Sequence, residues 1–144
     1  MADQSGRTDL AVGDVAGELG QILVVEHLAG AAITKGQAVY FTAADTVSPS
    51  SAAGQKAAGI ALKTVSSGAM VPVLKKGKVK VTAGGAIAVG AIVGTGPAGK
   101  VLAIAFAGTY AASDALARLD ETLGKNEGGA ATADGDLILI RVNL

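Results

Sequence analysis

A faint internal duplication constrains this chain more than any other feature of its sequence. Ala32-Ile33-x-x-Gly36-x-x-Val39 recurs as Ala86-Ile87-x-x-Gly90-x-x-Val93, displaced by 54 residues. Further on, Ala58-Gly59-Ile60-Ala61-Leu62 aligns with Ala115-Leu116-Ala117-Arg118-Leu119 at a displacement of 57. Gly68-Ala69-Met70-Val71-Pro72-Val73 then aligns with Gly135-Asp136-Leu137-Ile138-Leu139-Ile140 at 67. The growing displacement implies longer loops in the second copy, with the main insertion at residues 124–135. Two copies are too few for a solenoid. They suit a small pseudo-duplicated β-barrel or sandwich in which each half covers the other's apolar face.

The repeated Ile-x-x-Gly-x-x-Val reads as a turn between strands. Ile closes one strand into the core, Gly takes a positive-φ position, and Val opens the next. Composition agrees with strands. The 15 Val and 8 Ile outnumber the 13 Leu, while 30 Ala and 21 Gly leave little bulk and only four residues are aromatic. Thin-cored strands joined by tight turns fit this better than a helical bundle. The fold class expected is therefore all-β, with at most one short helix.

Strands are expected at residues 21–28, 37–42, 57–65, 70–74, 78–82, 91–94, 101–105 and 137–142. Residues 44–55 are expected as a polar loop, and Lys75-Lys76-Gly77 as a charged hairpin turn. Residues 113–124 stay open: Ser113 suits an N-cap and Gly124 a C-cap, but the repeat argues for a strand in the first half. Residues 1–20 read as a flexible N-terminal arm, polar and Gly-rich, ahead of one β-rich domain at 21–144. The half-repeats run over about 21–82 and 83–144.

Several functions are excluded by chemistry. Twelve basic and twelve acidic residues cancel, which leaves no electrostatic footprint for nucleic acid or an anionic membrane. With no Cys and one His, the chain offers no thiolate site and no multi-histidine metal site. The acidic N-terminus lacks the continuous apolar run of a signal peptide. The uncharged stretch at 81–99 holds six Gly and Pro97, a poor membrane helix. His27 has no nucleophile or carboxylate motif around it and reads as a hydrogen-bonded strand residue. Asp134-Gly135-Asp136 lacks the oxygen ligands and closing Glu of a calcium loop and reads as a turn. Gly94-Thr95-Gly96-Pro97-Ala98-Gly99-Lys100 has the wrong spacing for a phosphate loop. No catalytic residue, cofactor or metal is expected.

Taken in order, these stretches resemble a known family. Gly30-Ala31-Ala32-Ile33-Thr34-Lys35-Gly36-Gln37-Ala38-Val39-Tyr40 resembles the opening motif of tailed-phage capsid decoration, or cement, proteins. Ala57-Ala58-Gly59-Ile60-Ala61-Leu62, Ser67-Gly68-Ala69-Met70-Val71-Pro72-Val73 and Gly84-Gly85-Ala86-Ile87-Ala88-Val89-Gly90-Ala91-Ile92-Val93 resemble its middle. Ala133-Asp134-Gly135-Asp136-Leu137-Ile138 resembles its closing motif. The resemblance covers roughly residues 21–144. It implies a non-enzymatic virion protein, made in the host cytoplasm, that forms a homotrimer on the outer surface of an icosahedral head. There it would clamp subunits of the major capsid protein.

On that reading Leu10, Val12, Val15 and Leu19 of the arm are the candidate capsid contacts. Leu137, Ile138, Leu139 and Ile140, apolar on both faces of one strand, are the candidate subunit contacts. A second resemblance, of Ile33-Thr34-Lys35-Gly36-Gln37-Ala38-Val39 to the turn of biotinyl and lipoyl carrier domains, gives the alternative of a half-barrel binding module. Such a carrier needs a modifiable Lys at a hairpin tip flanked by Met or by Asp and Ala; Lys75 and Lys76 are expected at a hairpin but lack those neighbours.

Overall fold

A computed structural model describes residues 11–16, 22–104 and 122–144. Ten strands form among the described residues: β1 (Val15–Ala16), β2 (Leu23–Ala29), β3 (Ala38–Ala43), β4 (Thr46–Pro49), β5 (Ala57–Ala61), β6 (Met70–Thr82), β7 (Ile92–Thr95), β8 (Val101–Ala103), β9 (Thr122–Asn126) and β10 (Leu137–Asn143). The helical content among the described residues is one short 3-10 turn at Pro97–Gly99. The all-β expectation holds.

The strands run β2-β4-β3-β5-β6, and β2 also pairs with β6, which closes a five-stranded barrel. From β6 the sheet continues through β10, β9 and β7 to β8. A parallel bridge between Ala83 and Val101 brings β8 back to the end of β6. The second half is thus a ring like the first, and the two share β6.

Register shows how close the likeness is. In the first ring Val39 pairs with Pro49 and Tyr40 with Ser48; in the second Val93 pairs with Ala103 and Gly94 with Leu102. Ala38 pairs with Ile60, Val39 with Gly59 and Tyr40 with Ala57, with a bulge after Val39. Ile92 pairs with Lys125, Val93 with Gly124 and Gly94 with Thr122, with a bulge after Val93. Finally, His27 pairs with Val71 and Val25 with Val73, as Val81 pairs with Ile138 and Val79 with Ile140.

The interiors correspond side chain by side chain. Ala29, Ile33, Val39, Val47, Ala58, Ala61, Val71 and Val73 fill the first ring. Their counterparts Ala83, Ile87, Val93, Val101, Leu123, Asn126, Ile138 and Ile140 are all buried in the second. Four of the eight pairs are identical residues. Asn126 stands where the first ring has Ala61, and its side chain is satisfied: Nδ2 donates to Ala88 O (3.2 Å) and Gly129 O (3.1 Å), and Oδ1 accepts from Gly128 N (3.0 Å).

The repeat motif behaves as its chemistry requires. Ile33 bridges Val65 and Ile87 bridges Ala131, each buried. Gly36 and Gly90 sit at φ +91° and +80°, conformations that a Cβ disfavours.

Three sequence expectations are corrected here. The third strand of the second copy is β9, so Gly59-Ile60-Ala61 corresponds to Gly124-Lys125-Asn126, displaced by 65 and not 57. The displacement is still 54 at Ala103, so the main insertion lies between β8 and β9 and not at 124–135. Within 113–124, Thr122, Leu123 and Gly124 are strand, so Gly124 caps no helix; the rest lies outside the described residues.

Lys75-Lys76-Gly77 is no hairpin. β6 runs unbroken through it for 13 residues, with a bulge opposite the Leu23/Val24 step. The bulge shifts the alternation, so Val71 and Val73 face the first interior while Val79 and Val81 face the second. Because β2 corresponds to residues 77–82, the repeat boundary falls inside β6 and not at residue 82. The expected polar loop at 44–55 also contains a strand, β4, whose Val47 is buried while its neighbours stay half-exposed.

Candidate functional site

The charged groups of the described residues make local ties and no catalytic cluster. His27 Nδ1 lies 2.7 Å from Asp45 Oδ1; the carboxylate can only accept, so Nδ1 donates. The imidazole also meets Phe41 edge-on at 5.2 Å, and its Nε2 is buried without a partner. Lys75 Nζ donates to Ala58 O and lies 4.9 Å from the Phe41 ring centroid. Burial pulls the Lys75 ammonium below its ordinary range, with the Asp45 charge opposing.

Asp136 closes the turn that opens β10. Its Oδ2 accepts from Thr132 N (2.9 Å), Thr132 Oγ1 (3.0 Å) and Ala133 N (3.3 Å), and these bonds hold its carboxyl below the usual range. Glu127 is likewise lowered, first by Arg141 Nε at 2.8 Å and then by Lys78. No group of three or more metal-binding side chains occurs among the described residues.

What the surface does offer is apolar edge. β2 pairs with β6 along its whole length, but with β4 only at Leu28 and Ala29. Its outer edge over Val24, Val25 and Glu26 has no partner strand among the described residues. Leu23, Val24, Val25 and Leu28 are all exposed, as are Met70, which pairs with Leu28, and Phe41, which touches His27. Exposed aliphatics on both faces of an unpaired strand are a site for strand addition or aggregation unless something covers them.

The other half of the molecule shows how such an edge is covered. Residues 13–16, which the sequence assigned to the flexible arm, lie along the outer edge of β6. Val15 pairs with Val79 and Ala16 with Lys78. Gly13 N donates to Lys80 O (2.8 Å) and Lys80 N to Asp14 O (3.2 Å). Asp14 is held by Lys35 Nζ at 2.7 Å; that bond leads, with a smaller pull from Lys80, in keeping the Asp14 carboxyl below its usual range.

The candidate contact residues therefore fall in different places. Val12 lies against Gly36, and Val15 packs on the core of the second ring. Leu10 and Leu19 lie outside the described residues. Ile138, Leu139 and Ile140 are buried within this chain and Leu137 is half-buried, since β10 is enclosed between β6 and β9. They pack inside this chain, whereas Leu23, Val24, Val25 and Leu28 of β2 are exposed. In the sequence Ile22-Leu23-Val24-Val25 is an apolar run without alternation, which marks a strand but not whether that strand is covered. Lys75 and Lys76, inside a strand, are at no hairpin tip, so the carrier reading loses its attachment site.

No family model matches the sequence, and no curated protein matches it. Among solved structures, the fold is similar to that of the head fiber gp8.5 N base of bacteriophage phi29, with a TM-score of 0.56 and 18% sequence identity. The likeness covers 85% of this chain and 94% of that one.

Proposed function

We propose that this chain is a structural protein of a bacteriophage head. In the finer reading it is a decoration protein that binds the outer surface of an icosahedral capsid and stabilises contacts between major capsid protein subunits, as a homotrimer and without catalysis. The observation that carries the reading is the fold. The fold is similar to that of a phage head-fiber base over 94% of that chain, and the order of motifs in this sequence independently resembles decoration proteins. The exposed apolar edge of β2 supports an adhesive role, since work of this kind needs surface to bury and no reactive group.

The test is binding to heads. Purified protein is mixed with expanded heads that lack it, the heads are sedimented, and bound copies are counted and imaged by cryo-electron microscopy. Saturable binding at three-fold or quasi-three-fold positions supports the decoration reading. Binding at a single vertex or portal site would make it a different head protein, and no binding to any head would remove the reading.

A further inference from the structure

We propose that the outer edge of β2 is a strand-addition site for a partner polypeptide, and that the strand it takes carries a basic residue facing Glu26. The inference goes beyond the proposed function, because it names a surface and the chemistry of its occupant without reference to a phage head.

The argument rests on the two halves being in register. Val24, Val25 and Glu26 of β2 correspond to Lys78, Val79 and Lys80 of β6, because each set pairs with equivalent residues of the next strand. In the second half, residues 13–16 occupy the outer edge of that strand, and Val79 and Lys80 are 0% and 2% exposed. In the first half the same edge has no partner strand among the described residues, Val25 is 38% exposed and Glu26 is exposed. The backbone is ready for a partner. Leu28 N and Gly30 N donate outward to Asp45 O and Val47 O, so by strand alternation the N–H and C=O of Glu26 also point outward. The corresponding groups of Lys80 are the ones that bond residues 13 and 14.

Side chains say which strand would fit. The occupant of the β6 edge places an acid, Asp14, opposite Lys80 and a Val opposite Val79. On β2 the apolar position is kept as Val25, but the charged one is reversed, Lys80 becoming Glu26. A second copy of residues 13–16 would set Asp14 against Glu26, and like charges directly opposite are unfavourable. Residues 13–16 are moreover already used on the chain's own β6. The occupant that fits is therefore a foreign extended segment with Lys or Arg in the Asp14 position and an aliphatic residue after it, adding a strand through backbone hydrogen bonds.

The test uses the full chain, nitrogen-15 labelled, titrated with two blocked peptides, Ala-Val-Gly-Lys-Val-Ala and Ala-Val-Gly-Asp-Val-Ala. The Lys peptide should shift the amides of Val24, Val25 and Glu26 and bind about fivefold more tightly than the Asp peptide, a preference of the size of one cross-strand charge pair. Glu26→Lys should reverse the preference. Glu26→Pro removes the outward donor without touching the β6 ladder and should abolish binding; if that variant does not fold, the reversal by Glu26→Lys still decides. Equal affinities, shifts at residues 78–80, or no shift at millimolar peptide would overturn the proposal. So would Val24 and Glu26 amides already protected from exchange in the free chain, or a self-association lost in Glu26→Pro, which would make the occupant a second copy.

Discussion

Gly59 is a position where this fold leaves a side chain almost no room, and it separates two kinds of cost. It sits at φ +143°, and a Cβ there would run into the carbonyl oxygen of Leu74 and Val73 Cγ1. Both obstacles belong to β6, which cannot retreat because β2 holds its other edge. Gly68 is the control: its φ is +89°, yet a Cβ there meets nothing within 4 Å. Gly68→Ala should therefore cost only backbone strain, about 1–2 kcal/mol. Gly59→Ala should add an overpacking cost of about 1–3 kcal/mol and reach roughly 3–4 kcal/mol in total. For a domain of this size each kcal/mol moves Tm by about 3–4 °C, so the two variants should differ by roughly 3–12 °C. With no Trp in the chain, the assay is urea and thermal unfolding followed by far-UV circular dichroism. If Gly59→Ala were no less stable than Gly68→Ala, the close approach of β5 to β6 would not be what demands glycine, and the reasoning would fail.

Four further outcomes follow from the same geometry. Asp136 is lowered in the folded chain, so its stabilisation is complete above the ordinary carboxylate range and is lost as pH falls through the lowered value; urea midpoints should drop less on acidification in Asp136→Asn than in the parent. Asn126→Ala removes three buried hydrogen bonds and should cost about 1–3 kcal/mol in urea unfolding, whereas the reverse change Ala61→Asn should destabilise the first ring with no bonds gained. Deleting residues 1–16 should strip Val15 from the core of the second ring and cost about 1–3 kcal/mol, with faster hydrogen exchange at the Lys80 amide. Phe41→Ala strips the ring from His27 and Lys75 and should lower Tm by several degrees, measured by the same dichroism melt.

How much of this was legible depended on which residues the two halves share. Ile33 and Ile87, Gly36 and Gly90, and Val39 and Val93 are identical because each pair does the same work in its ring, and they gave away the duplication and its strand content. The third strand was misaligned because only Gly59 and Gly124 survive there, while Ile60 and Ala61 became Lys125 and Asn126. Ala-Leu patterns at 115–119 matched better by chance. Lys75-Lys76-Gly77 looked like a turn because charges and a glycine usually mark one; here the glycine lies inside β6, at φ +136°, and the bulge beside it falls at Lys75. The open edge of β2 was invisible for a different reason. An apolar run reads the same whether its neighbours bury it or leave it bare, and only the register against β6 tells the two apart.

A strand common to two rings also changes what it means for this chain to have halves. Duplicated proteins often keep the independence of the ancestral unit, so that one copy can drift, melt or be replaced while the other persists. Here β6 is a wall of both rooms. Loss of order in either interior removes a side of the other, and a break at residues 75–77 would open both at once. The duplication has been converted from two parts into one indivisible object, and the halves are free to diverge in the charge they carry at equivalent edge positions, as Glu26 and Lys80 have, but not in the register that joins them.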